Sequence, residues 1–455
     1  MYRLAVCFVR LVDSAHFARR LAPRPRLPGL LAAGALLSPM AGAADLLHVY
    51  QLALDNDPVY TSARYTLDAG REASVQGRAG LLPRIGASGS YTRSDRNFDS
   101  ATNTWSLQLT QPLLRLANWE AYRQGKLATA TSEAQFAQAQ QELILRVAQA
   151  YFDVLSAQDA LSFLDAQKIA IAEQLASARR NFELGTATIT DTNEAQARHD
   201  LINAQGIAAQ NELKVALAKL QQITGQPPAA LSVLRDDVKL SPPQPPHIDD
   251  WIAGAQQDNF SVVAQQLALE TAQSEIRRSR AGHAPTVDLV AARNFNDQDS
   301  VRNRFLNGRN YSNSIGVQWN IPLFAGFATG SKVDESIALA GKARADLDNA
   351  RRTAVLNARQ AFLGVANGLS QIQAYEAAEV SSQSSLESNK LGYQVGVRIN
   401  IDVLNAQQQL YSTRRDLAKA RYDTLLHGLK LKAAAGTLRE DDLAQVNGLL
   451  THPVQ

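Results

Sequence analysis

"YQVGVRINIDVLNAQ" (393–407) interrupts a stretch that otherwise reads as one very long helix. Within it Gly396 and Asp402 stand six residues apart among β-branched neighbours. "FELGTATITDTNEAQ" (182–196) has the same arrangement, with Gly185 and Asp191 at the same separation. The two glycines lie 211 positions apart, and so do Asp191 and Asp402, Gln196 and Gln407, and Gly225 and Gly436. Upstream, "RAGLLPRIG" (78–86) matches "RAGHAPTVD" (280–288) at an offset of 202, and "LTQPLL" (109–114) matches "WNIPLF" (319–324) at 210. One short insertion between the paired prolines explains the change of offset. The chain is a duplication, and repeats of this kind govern the whole fold. Its copies span 44–224 and 251–436, joined by the Pro-rich "GQPPAALSVLRDDVKLSPPQPP" (225–246).

Each copy contains a long helical part. Residues 116–184 hold no proline and only Gly125, and they are rich in the good helix formers Ala, Gln, Glu and Leu. A helix of that extent is roughly 100 Å long. Val147, Phe152, Leu155, Leu161, Leu164 and Ile171 recur every few positions with Ala between them, the pattern of a coiled-coil array. Leu323–Leu450 in the second copy is likewise free of proline.

Each copy also contains two short segments of period two. Trp105, Leu107 and Leu109 alternate with Ser106, Gln108 and Thr110, and Ile315, Val317, Trp319 and Ile321 alternate with Ser314, Gly316, Gln318 and Asn320. Strands are expected over about 84–93, 104–112, 285–294 and 313–322, bounded by Pro83, Pro112, Pro285 and Pro322. The connections 93–103 and 294–312 are polar.

The first 43 residues read as an export signal: six arginines, the apolar "LLAAGALL" (30–37), then "AGA" (41–43) before the cleavage point. Removing those six Arg and Asp13 moves the net charge from +3 to −2, so the basic pI is no argument for nucleic acid. Cys7, the only cysteine, leaves with the signal, so neither a disulfide framework nor a lipid-acceptor Cys is expected. The six histidines beyond it are scattered without metal spacing, and "GFATGSK" (326–332) fails the phosphate-loop spacing. No catalytic residue, cofactor or metal is expected.

Strands of about ten residues with one apolar and one small polar face suit a tilted bilayer crossing. Four of them cannot close a barrel, and open edges are not tolerated in lipid. The chain must share its barrel, and two, three or four copies give 8, 12 or 16 strands. The competing reading is a secreted trimeric coiled-coil stalk or adhesin carrying surface hairpins.

The stretches "LLPRIG", "SLQLTQPLL", "AYFDVLSAQDALSF", "NFELGTATITDTNEAQA", "LQQITG", "IRRSRAGHAPTVDL", "GYQVGVRINIDVLNAQQQLY" and "LKAAAGTL" resemble motifs of the TolC family of outer-membrane efflux and type I secretion channels. The likeness extends from Asp45 to Leu450. It implies a mainly α fold with a membrane β part: a homotrimer with a 12-strand outer-membrane β-barrel, a periplasmic helical tunnel, and an equatorial collar from 225–250 and 437–455. It also implies a periplasmic adaptor (membrane fusion) protein, an inner-membrane ABC or proton-driven pump, and outer-membrane lipid as partners, with no nucleic acid. Gly185 and Gly396 then become turns at the periplasmic tip. Asp402 matches one aspartate of the entrance constriction, and Asn405 occupies the position of a second, so the ring of charge is halved. Thr190, Asp191, Tyr393 and Arg398 match the closed-state latch, as the pairs Asp191–Tyr393 and Thr190–Arg398. The residues alone also allow a plainer role for the acids. Asp191 with Glu194 fits a helix-capping spacing, and Asp402 with Asn405 approximates it.

Overall fold

The computed structural model describes residues 44–94, 100–228, 230–235, 237–300, 305 and 307–451. The export signal 1–43 and His452 lie outside the described residues. The first copy contains helices α1 (Leu46–Asn56) and α2 (Pro58–Ala79), strands β1 (Arg84–Ser94) and β2 (Ser100–Leu114), then helices α3 (Leu116–Glu183) and α4 (Ile189–Thr224). A short strand, β3 (Val233–Leu234), follows. The second copy runs through α5 (Ile248–Gln257), α6 (Phe260–Arg280), β4 (Thr286–Ser300), β5 (Gly308–Asn320), α7 (Ala328–Gln394) and α8 (Asn400–Ala434). Helix α9 (Glu440–Asn447) and strand β6 (Leu450–Thr451) complete the order.

The two long helices carry 68 and 67 residues, about 100 Å each. The first part of α3 packs on α2 and its later part on α4, and α7 is served in the same way by α6 and α8. Polar side chains start several of the shorter helices. Asp57 caps α2 by accepting from Tyr60 N at 2.7 Å, and Asn259 caps α6 by accepting from Ser261 N at 3.0 Å. Asp57 is itself buried and held by Arg146, with N–O distances of 2.9 and 3.2 Å. A buried carboxylate needs such a partner.

The largest apolar core sits midway along α3, where Leu143, Val147, Tyr151, Phe152 and Leu155 meet Leu46 and Val49 of α1, Leu220 of α4, Leu425 and Leu429 of α8, and Leu443 of α9. Phe152 stacks on Tyr422 at 5.5 Å between centroids. The Tyr151 hydroxyl donates to the Ser232 carbonyl at 2.7 Å. Strands β3 and β6 pair antiparallel beside this core, and Asn447 accepts from Leu46 N at 2.9 Å.

The sheet has the order β1-β2-β4-β5, antiparallel throughout. Its strands start and end at the helices, so both hairpin ends lie remote from them. The strands are longer than the sequence pattern predicts: β2 and β4 reach 15 residues, and pairing continues well into the polar connections. Beyond the apolar band both faces meet water, so alternation fades while ladder pairing persists through polar pairs such as Arg309–Asp297 at 3.2 Å. Pro112 lies inside β2 instead of ending it, at a register irregularity between Pro112 and Leu114. A bulge is where a strand tolerates a residue without an N–H.

Gly185, Gly225 and Gly436 share φ +73° and Gly396 has φ +81°, so all four repeat-matched glycines are left-handed helix ends. Their surroundings differ. A Cβ on Gly436 would fall 2.1 Å from the Asp258 carbonyl oxygen, whereas nothing lies within 4 Å at Gly185. Gly185→Ala is expected to cost about 1–2 kcal/mol from its backbone conformation alone, and Gly436→Ala clearly more. Denaturant unfolding of both variants checks this, and equal losses would remove the steric argument.

Candidate functional site

The two helical turns lie at the end of the molecule farthest from the sheet. Both form the same double-bonded helix end, in which the glycine N–H and the next N–H reach back to carbonyls of the last turn. At the first turn Gly185 N donates to Phe182 O at 2.9 Å and Thr186 N to Asn181 O at 2.8 Å. At the second, Gly396 N donates to Tyr393 O at 3.2 Å and Val397 N to Gly392 O at 2.9 Å. Duplication has preserved the backbone, and the side chains have diverged on it.

The divergence appears in how the next helix begins. Helix α4 starts at Thr188, whose hydroxyl accepts from Asp191 N at 3.3 Å while the Asp191 carboxylate accepts from Thr188 N at 3.0 Å. Asp191 is thus the third-residue partner of a capping box, three positions from the cap role its spacing to Glu194 suggested. The repeat-equivalent cap of α8 is Ile399, which has no side-chain acceptor to offer. Asp402 is therefore not engaged in a box, and its carboxylate faces Arg398 at 3.7 Å. Both members of that pair are substantially exposed, so the attraction is weak. The Arg398 stem lies over Gly392, where an added Cβ would meet its Cγ at 2.6 Å.

Further hydrogen bonds tie the two hairpins together. Asn181 Nδ2 donates to the Tyr393 hydroxyl at 3.2 Å. Asn400, fully buried at the start of α8, donates to the Asp191 carbonyl at 3.2 Å and accepts from the Gln174 amide. Arg198 of α4 donates to Asn405 at 3.0 Å and to Gln408 at 2.7 Å. The six expected entrance and latch residues thus sit at one tip with Gly185 and Gly396. Among the described residues, no hydrogen bond joins Asp191 to Tyr393 or Thr190 to Arg398: Asp191 is engaged with Thr188, Tyr393 with Asn181, and Thr190 is exposed. Sequence reasoning missed Asn181, Gln174, Asn400 and Arg198. For Asn400 a signal existed, because an amide stands there where the first copy carries Ile189.

A four-stranded sheet that is apolar on one face, two helices of about 100 Å and a doubled tip define a subunit of an outer-membrane channel with a helical tunnel. The family profile described as outer membrane efflux protein matches residues 49–226 and 251–437. The chain is 34% identical to outer membrane protein TolC of Escherichia coli strain K12, over 94% of this chain and 89% of that one. It is 33% identical to the proteases secretion protein PrtF of Dickeya chrysanthemi, covering 89% and 91%. Among solved structures, the Campylobacter jejuni outer membrane channel CmeC superposes with a TM-score of 0.75 at 17% identity, over 94% of this chain and 98% of that one. The Vibrio cholerae outer membrane protein VceC gives 0.74 at 19%, over 86% and 96%. The chain belongs to the outer membrane efflux protein family. It is an outer-membrane channel protein of the TolC type, which sets aside the secreted stalk.

Asn400→Ala would strip the Asp191 carbonyl and the Gln174 amide of their partner, a loss of about 1–3 kcal/mol in local stability. Hydrogen exchange of the amides at 186–200 should quicken accordingly, while the collar helices near Tyr151 keep their protection. Unchanged exchange at the tip would show that Asn400 ties nothing.

Proposed function

We propose that three copies of this chain close one twelve-strand barrel and one continuous tunnel, gated at its periplasmic helical tip. The observation that carries this reading is the pair of sheet edges, β1 and β5, which have no strand beside them among the described residues while the sheet shows one apolar face. Exposed backbone edges do not persist in hydrocarbon, so neighbouring copies must pair them. A closed twelve-strand barrel leaves an aqueous lumen, suited to the small polar face formed by Ser88, Ser106, Asn294 and Ser312.

Substrates reach the tunnel from an inner-membrane ABC or proton-driven pump through a periplasmic adaptor. Exposed Leu184, Val395 and Val397 at the turns offer apolar contacts for such a partner. PrtF and AprF, relatives named for the secretion of proteases, stand at 33% and 34% identity, which supports type I protein secretion as one use of the tunnel. BepC, named an outer membrane efflux protein, stands at 26% and supports efflux as a second.

At the entrance, Asp402 would contribute one carboxylate per chain to an axial ring that favours cations. The capping pattern supports Asp402 over Asp191 for this role, because the Asp191 carboxylate is engaged by its own helix start. Asn405 adds no charge, so block by multivalent cations should be weak in the native channel, stronger in Asn405→Asp and absent in Asp402→Asn. Arg398 acts as a latch through its weak local pair and contacts to the adjacent copy. Single-channel conductance in planar bilayers is the test. Arg398→Ser should conduct more than the native protein, and no increase would eliminate Arg398 as a latch.

A further inference from the structure

On the outward face of the sheet stands Arg293, a cation that the channel reading does not use. Residues directly opposite in an antiparallel sheet share a face. Rising from the helices, that face of β4 and β5 presents Val287 with Trp319, Leu289 with Val317, Ala291 with Ile315, Arg293 with Asn313, and Phe295 with Tyr311. Ile85, Leu107, Leu109 and Trp105 lie on the same face of β1 and β2. The opposite face is polar and small. From Trp319 to Tyr311 is about 27 Å along the strand, or somewhat over 20 Å after the usual 35–45° tilt, close to the apolar band of about 25 Å of such barrels.

Trp105, Phe295 and Tyr311 form an aromatic row across the sheet, with centroid separations of 5.6 and 4.9 Å. The row stands on the hairpin side, remote from the helices, and marks the outer interface. Arg293 lies one pleat inside it, about 7 Å along the strand. Its guanidinium carbon is 6.0 Å from the Tyr311 ring centroid, so the side chain climbs toward the row and away from the hydrocarbon centre. It is exposed and makes no ion pair or hydrogen bond with the described residues. Asp297, the next acid toward the hairpin end on that strand face, is taken by Arg309 at 3.2 Å. Asn313, directly across on β5, exposes an amide beside it.

We propose that Arg293, steadied by the Tyr311 ring and assisted by Asn313, binds the phosphate of an anionic lipid in the outer leaflet. A guanidinium facing hydrocarbon is destabilising unless it reaches the interface and finds a counter-charge. Among the described residues no carboxylate fills that role, and the chemical group present at the aromatic level of a membrane is a lipid headgroup. The planar fork of Arg matches two phosphate oxygens, while the ring face of Tyr311 holds the cation from behind. The inference rests on the outer-membrane barrel reading, and the same preparation can test both.

The full chain, purified in detergent and shown to conduct in bilayers, is titrated with diphosphorylated lipid A and with its dephosphorylated form, and binding is read by native mass spectrometry. The native protein should retain the phosphorylated lipid preferentially. Arg293→Gln should bind it about fivefold more weakly, with binding of the dephosphorylated form unchanged. Arg293→Lys should keep most of the preference, and both variants should conduct normally. Equal binding by Arg293→Gln, or no preference for the phosphorylated lipid, overturns the proposal. Displacement by millimolar inorganic phosphate also overturns it, reassigning the site to free phosphate. Loss of conductance in the native preparation would instead count against the barrel reading.

Discussion

The outer strands β1 and β5 each present backbone N–H and C=O groups that find no strand beside them among the described residues, and hydrocarbon can supply no partner. The remaining architecture answers that constraint. Assembly must supply the missing partners, and a ring of copies does so while turning the polar sheet face inward. Each hairpin strand continues into a helix, so a ring of hairpins imposes a ring of helices beneath it. Barrel and tunnel are consequences of one unsatisfied ladder, and the duplication halves the amount of design required.

Duplication also explains why the tip can carry a function. Two turns with the same backbone solution tolerate different side chains, since the left-handed glycine and its two hydrogen bonds fix the path of the chain. Thr188 lets Asp191 complete a capping box, while Ile399 leaves Asp402 without one. The second helix start gives up local stabilisation of about 1 kcal/mol, and its carboxylate faces Arg398 at 3.7 Å instead. The buried amide of Asn400 compensates in part, because it joins α8 to both helices of the first copy.

Much of this was legible in the sequence because it is periodic or repeated. The long helices followed from composition and the absence of proline, and the hairpins from alternation around Trp105 and Trp319. What escaped depended on contacts between the copies. Asn181 and Tyr393 are 212 positions apart, and nothing in either local pattern pairs them. The strand ends escaped because a polar ladder in water looks like a loop to any hydropathy pattern. Pro112 misled for a different reason: a bulge excuses a strand proline, and bulges leave no compositional mark. Arg293 carries no mark in the sequence pattern that sets it apart from any other polar strand residue. Its meaning depended on the depth at which the register places it.

The distribution of packing along the helices determines where such a tunnel can move. Around Tyr151, Phe152 and Tyr422 four helices and the terminal segments share one wide core. There the Tyr422 hydroxyl donates to Asp159 at 2.6 Å, and burial, reinforced by that carboxylate, pushes the phenol well above its ordinary pKa. The phenol keeps its proton, and α8 remains tied to α3, across the physiological range. Toward the tip the cores narrow to small clusters, such as Ile171, Leu175, Ala178, Ala195, Ile202 and Leu404. At the turns, a small cluster of Leu386, Val403, Ala406 and Leu410 is supplemented by amide hydrogen bonds and one long ion pair. Hydrogen bonds of that kind contribute about 1 kcal/mol each and re-form readily with new partners or water. The wide core about Tyr151 and Tyr422 thus holds its helices more firmly than the small clusters hold the tip.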